Sequence, residues 1–190
     1  MVSDHTKRQQ HWIYVLGGSE LLDKARKWEQ RKTQQGKAYS VIVSAPLGAH
    51  GRLSHVNNDD VLYVFADTVQ GGKLGECRIS PEELARHLRA EGLDPRHRSV
   101  KLFASHTGDA IGSTCFAQQL YEAMRPAYPE LVVYGYRGKA DAEGFDGHKT
   151  AGLGDDESLQ HLTHERWLLK RARALDNRVQ FPPQSNAEQG

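Results

Sequence analysis

The chain has 190 residues, 25 Lys+Arg against 24 Asp+Glu, and a formal net charge of +1. That length predicts one domain able to bury a core without staples, and the balanced charge gives no field that would draw nucleic acid or a membrane surface. Cys77 and Cys115, the two cysteines, form neither a disulfide framework nor a metal spacing and suit a reducing compartment.

The opening "MVSDHTKRQQ" is polar and lacks the apolar centre of a secretory signal. No apolar run approaches the roughly 18 residues of a membrane span. The expectation is a cytoplasmic protein, or one exported without a classical signal peptide. Five short β-branched runs follow: "WIYVLGG" (12–18), "YSVIVSA" (39–45), "VLYVFAD" (61–67), "VKLFAS" (100–105) and "ELVVYGY" (130–136). Near-continuous apolarity of that length marks strands covered on both faces. Residues 19–35 place Leu21, Leu22, Ala25 and Trp28 on one helical stripe, with Ser19 as N-cap and Gly36 as stop. Between the second and third strands, 46–60 is rich in Gly and Asn and reads as a hairpin or long loop.

In "SPEELARHLRAEG", Ser80 caps, Pro81 takes the first turn, Glu83 closes a capping box and Gly92 ends the helix. A third helix is predicted over about 109–125, with Phe116, Leu120 and Ala123 inward and Pro126 as the stop. Five glycines fall within 137–155, which reads as a loop or hairpin. A last amphipathic helix is expected over about 156–175. The domain is set at 1–176, and 177–190 is read as a polar, frayed tail. Alternation of strands and helices predicts an α/β three-layer sandwich with a mainly parallel five- or six-stranded sheet.

Ligands of such sheets bind beyond the carboxyl ends of the strands. Those ends carry Gly17 and Gly18, Asp67 and Thr68, Ser105 and His106, and Tyr136 and Arg137. One short crossover joins the third and fourth strands, which should therefore be neighbours and set Asp67 opposite Ser105. The Gly17–Gly18 turn before a helix could cradle an anion, although it is no G-x-G-x-x-G fingerprint and an ordinary tight turn is the favoured explanation. Arg137 and Lys139 could hold an acidic ligand. The ten histidines are scattered in no zinc pattern, so no metal and no cofactor is expected.

The succession of a strand ending in "FAD", a Gly-Gly segment, the "SPEELARHL" helix, the strand "VKLFAS" with "HTG", and the "FAQQL" helix resembles the caspase-like cysteine peptidases. The self-cleaving protease domains of bacterial toxins and related effector domains share this outline over roughly 12–136. In that family a His-Gly pair ends the third strand and a Cys ends the fourth. The resemblance therefore implies a caspase-like fold with Asp67 in the place of the base, Thr68 in that of the glycine and Ser105 in that of the nucleophile. A neutral hydroxyl needs a base to take its proton, and a carboxylate with pKa near 4 serves badly in that role. The expectation is a pseudo-peptidase that binds a protein or an acidic ligand, in an effector- or toxin-associated setting. The alternative is an active hydrolase in which Ser105, natural or replacing a Cys, is served by His50 or His106 and takes a peptide substrate. Toxin relatives are activated by inositol hexakisphosphate, so the resemblance also admits an acidic small-molecule activator.

Overall fold

The computed structural model describes residues 9–44, 51–141, 150–151, 172–173 and 178–183. In chain order the elements are β1 (His11–Val15), α1 (Ser19–Gln34), β2 (Tyr39–Val43), β3 (Val61–Gln70), β4 (Lys73–Leu74), α2 (Pro81–Ala90) and β5 (Ser99–Ser105). They continue with β6 (Ala110–Ile111), β7 (Thr114–Cys115), α3 (Phe116–Met124), β8 (Val132–Tyr136), β9 (Ala140–Asp141), β10 (Thr150–Ala151), β11 (Ala172–Arg173) and β12 (Arg178–Phe181). Six of these strands form the main sheet in the order β12-β8-β5-β3-β1-β2. Five run parallel, and β12 closes one edge antiparallel to β8. The fold is α/β, a mostly parallel sheet flanked by three helices.

Alternation along the strands divides two apolar layers. Leu62, Val64 and Ala66 of β3 and Val100, Leu102 and Ala104 of β5 point to one side, where Leu84 and Leu88 of α2 and Phe116 and Leu120 of α3 meet them. Ile13, Val15, Tyr63, Phe65 and Phe103 point to the other, against Ala25 and Trp28 of α1. Trp28 is fully buried, with ring centroids 5.1 Å from Tyr63, 5.7 Å from Phe65 and 5.1 Å from Phe103. Burying one such indole stabilises the layer by about 3 kcal/mol or more, judged from aromatic truncations in other cores.

The capping box of α2 forms as its residues predict: Glu83 N donates to Ser80 Oγ at 3.2 Å, and Ser80 N to Glu83 Oε2 at 2.8 Å. Elsewhere the structure corrects the expectations. Gly18, in extended conformation, caps α1 without a side-chain bond, and Ser19 is already helical. The third helix starts at Phe116, because Ala110–Cys115 forms the β6–β7 hairpin around Gly112, whose φ is +72°. A Gly-X pair in a two-residue loop is the chemistry of such a turn. β3 runs on to Gln70 and folds back through Gly71–Gly72 to pair with β4.

The segment 178–181, assigned to the tail, is a sheet strand, with Val179 opposite Gly135 and Phe181 opposite Val133. Of the predicted helix over 156–175, Ala172–Arg173 is instead extended and pairs with β10, and 152–171 lie outside the described residues. The 137–155 segment contributes the β9–β10 pairing, with 142–149 outside the description. Among the described residues no helix is long and apolar enough to cross a membrane.

Candidate functional site

β3 and β5 are adjacent and parallel, so their carboxyl ends reach the same rim of the sheet. Their register is regular from Leu62 opposite Val100 to Phe65 opposite Phe103, then shifts so that Thr68 stands opposite Ser105. The extra residue is inserted on the β3 side at Ala66 and Asp67, a bulge of the kind that re-aims side chains at the end of a ladder. The expected facing of Asp67 and Ser105 is therefore displaced by one residue: Asp67 lies in the bulge and is exposed at this rim, whereas Ser105 is partly covered.

Ser105 Oγ accepts a hydrogen bond from Ala140 N at 3.1 Å. No imidazole among the described residues is hydrogen-bonded to it. The next residue, His106, has φ +64°, a left-handed conformation that a residue with a Cβ adopts at a cost. Two contacts hold it there. Its N–H donates to Gly138 O at 2.8 Å, and its ring meets Asp109 with Nδ1 2.6 Å from Oδ2. A carboxylate only accepts, so Nδ1 carries the proton. Asp109 in turn accepts from Gly138 N, at 3.1 and 3.2 Å to its two oxygens. The result is a His–Asp pair clamped between the turn after β5 and the strand end of β8.

Thr107, fully buried, is the anchor of that turn. Its Oγ1 lies 3.1 Å from both Leu102 O and Ala104 O and accepts from Tyr136 N at 2.9 Å. Gly108 packs so closely against β8 and β12 that a Cβ there would lie 2.7 Å from Val179 Cγ2 and 3.0 Å from the Tyr136 carbonyl carbon. Sequence reasoning named His106 but missed Asp109 and Thr107. The spacing "HTGD" did contain the signal, an acid three residues beyond a histidine across a glycine turn.

Gly17 and Asp67 line one small cavity of about 90 Å³, together with Leu16, Glu20, Leu21, Lys24 and Glu76. Three carboxylates converge on the α1 N-terminus, and Lys24 Nζ pairs with Glu20 Oε1 at 2.7 Å. Close packing by itself accounts for glycine at 17, since a Cβ there would come 2.8 Å from Leu21 Cδ2. Arg137 and Lys139 are exposed on the other side of Gly138. The rim is thus acidic beside α1 and basic beside β8.

Of the remaining candidates, His50 lies outside the described residues. His55 belongs to the opposite end of the sheet, edge-on to Trp12 with centroids 4.7 Å apart. Burial pushes the Cys115 thiol up, the reverse of an activated nucleophile. Among the described residues no cluster of three or more His, Cys, Asp or Glu is arranged to hold a metal. No protein-family model matches the chain, and no curated protein matches its sequence.

Proposed function

We propose that this chain is a caspase-like domain whose peptidase dyad has been replaced, and that its carboxyl rim binds a protein or an acidic ligand without cleaving it. One observation carries the reading. β3 and β5 are adjacent parallel strands with Thr68 level with Ser105 and Asp67 in the bulge just before it; if they correspond to the family's third and fourth strands, Asp67 and Thr68 take the place of the His-Gly pair and Ser105 that of the thiol. The Ser105 hydroxyl receives a backbone N–H of β9, and among the described residues no imidazole is hydrogen-bonded to it. Loss of one member of such a catalytic unit costs several orders of magnitude. Arg137 and Lys139 supply the cations that an acidic ligand or an acidic stretch of a partner would meet.

The test restores the thiol. Ser105→Cys is expected to produce neither self-cleavage nor turnover of a peptide library, because on this reading Asp67 stands in the place of the base as well. Cleavage by that variant would end the reading. A second reading has its own support, the clamped His106–Asp109 pair beside Ser105, which could orient a base for a serine hydrolase. A fluorophosphonate probe separates the two. Labelling of the wild-type chain at Ser105 favours the hydrolase, and a clean wild-type chain favours the binding domain.

A further inference from the structure

β2 is an outer strand of the main sheet, and "YSVIV" carries neither charge nor proline. Among the described residues no strand pairs with its outer side, and a strand of that composition on such an edge is a template for pairing with another chain. Its inner side bonds to β1 through even-numbered residues: His11 N donates to Ala38 O at 3.0 Å and Ser44 N to Val15 O at 3.2 Å. The parallel ladder then turns the N–H and C=O groups of Tyr39, Val41 and Val43 outward.

Two charged side chains occupy that outward row. Glu29, reaching over from α1, accepts from Val41 N at 3.2 Å. Arg52, from the segment after β2, donates through Nη1 to Val43 O. Each guard matches the group it covers, an acceptor on the donor and a donor on the acceptor. Val43 itself stays 39% exposed, so one outward donor and one outward acceptor are capped while its side chain remains open.

We propose that the β2 edge is a self-pairing surface for a second copy of this chain, held closed by Glu29 and Arg52. The complementarity lies in the two groups that are capped. In an antiparallel pair related by a two-fold axis at Ile42, Val41 of one copy stands opposite Val43 of the other. Val41 N of each copy then donates to Val43 O of its partner, so the covered donor and the covered acceptor satisfy each other twice. An isologous contact of this kind closes on itself and stops at two copies. Glu29 and Arg52 must both withdraw for it to form, and loss of either opens half of the row.

The experiment measures mass against concentration by sedimentation for the wild-type chain, Glu29→Ala, Arg52→Ala and the double variant. The wild-type chain is expected to be a monomer. Dimerisation should strengthen in each single variant and by roughly 10- to 100-fold in the double one, as the capped groups on both copies become available. Val41→Pro added to the double variant should return it to a monomer, since proline removes the outward N–H and is tolerated on an edge strand. A folded double variant, by circular dichroism, that stays monomeric overturns the proposal. So does a dimer that persists with Val41→Pro, or a wild-type chain already paired through β2. Binding of a labelled peptide of residues 37–45 should exceed that of an unrelated peptide rich in β-branched residues. Equal binding of the two would make the edge a general acceptor and overturn self-pairing.

Discussion

Lys101→Met is expected to stabilise the fold at pH 7. In β5, Lys101 lies opposite Tyr63 on one side and Tyr134 on the other, and its Nζ is 5.4 Å from each ring centroid. Arg178 stacks on the same Tyr134 ring at 4.5 Å, so two cations share one aromatic strip. Burial, reinforced by Arg178, lowers the Lys101 ammonium from 10.5 to about 8. Taken in full, that fall corresponds to a cost of roughly 3 kcal/mol for holding the charge at neutral pH. The two tyrosine faces return about 1–2 kcal/mol of it, while methionine keeps the stem's packing and removes the charge. The net gain for Lys101→Met at pH 7 is therefore on the order of 1–2 kcal/mol.

The pH dependence gives this estimate its check. A lysine with a depressed folded pKa leaves the unfolded chain holding more protons between about 8 and 10.5, so wild-type stability rises across that window. The penalty is complete below pH 8 and relieved above it. Urea unfolding of both proteins at pH 7 and pH 10 should show the advantage of the variant at pH 7 shrinking at pH 10. A variant less stable than wild type at pH 7, or an equal difference at the two pH values, would refute the reasoning.

Gly135→Ala should lower stability by about 2–3 kcal/mol, since its Cβ would lie 2.7 Å from Ala117 Cβ and 2.9 Å from Thr107 O; a thermal melt reads this directly. Thr107→Val leaves Tyr136 N without its acceptor and should cost about 1–3 kcal/mol; a denaturant midpoint equal to that of wild type would contradict the anchoring role. Burial lowers both His87 and His97 below the ordinary 6.5. The unfolded chain takes up their protons first, so stability is complete above that value and is lost as pH falls below it. Chemical unfolding at pH 7 and pH 5 should show that loss, and His87→Gln should make it smaller.

What could be read in the residues was whatever local chemistry decides. Ser80, Pro81 and Glu83 lie within four positions and specify one helix start, and it forms as expected. The five apolar runs mark the five parallel strands, most fully buried at the central β3 and β5, and the link carrying α2 makes β3 and β5 neighbours. Hidden features depended on distant partners. "RVQF" has no apolar run of its own, and it becomes a strand only because β8 offers an edge. The β6–β7 hairpin was concealed by "AIGSTC", where only the positive φ of Gly112 separates a turn from the first helical residues. Asp109 gains meaning once His106 turns left-handed, and that turn is imposed by Gly138 and Thr107, anchored to β8.

The same distinction explains how the side chains at this rim can change while its shape is kept. The strand ends at the rim are fixed by residues that face away from it: Thr107 against the Leu102 and Ala104 carbonyls, Gly108 against Val179, and Gly135 against Ala117. None of these contacts involves the side chains of Asp67, His106 or Ser105. Substitution at the rim therefore costs the scaffold little, and the bond that Ser105 Oγ accepts from Ala140 N needs only an acceptor. A thiolate or a hydroxyl could fill that place structurally, but a base to activate either must come from a neighbouring strand or turn. The reactivity of this rim therefore turns on whether an imidazole reaches position 105, and the Ser105→Cys variant and the fluorophosphonate probe ask that of the sulfur and of the oxygen in turn.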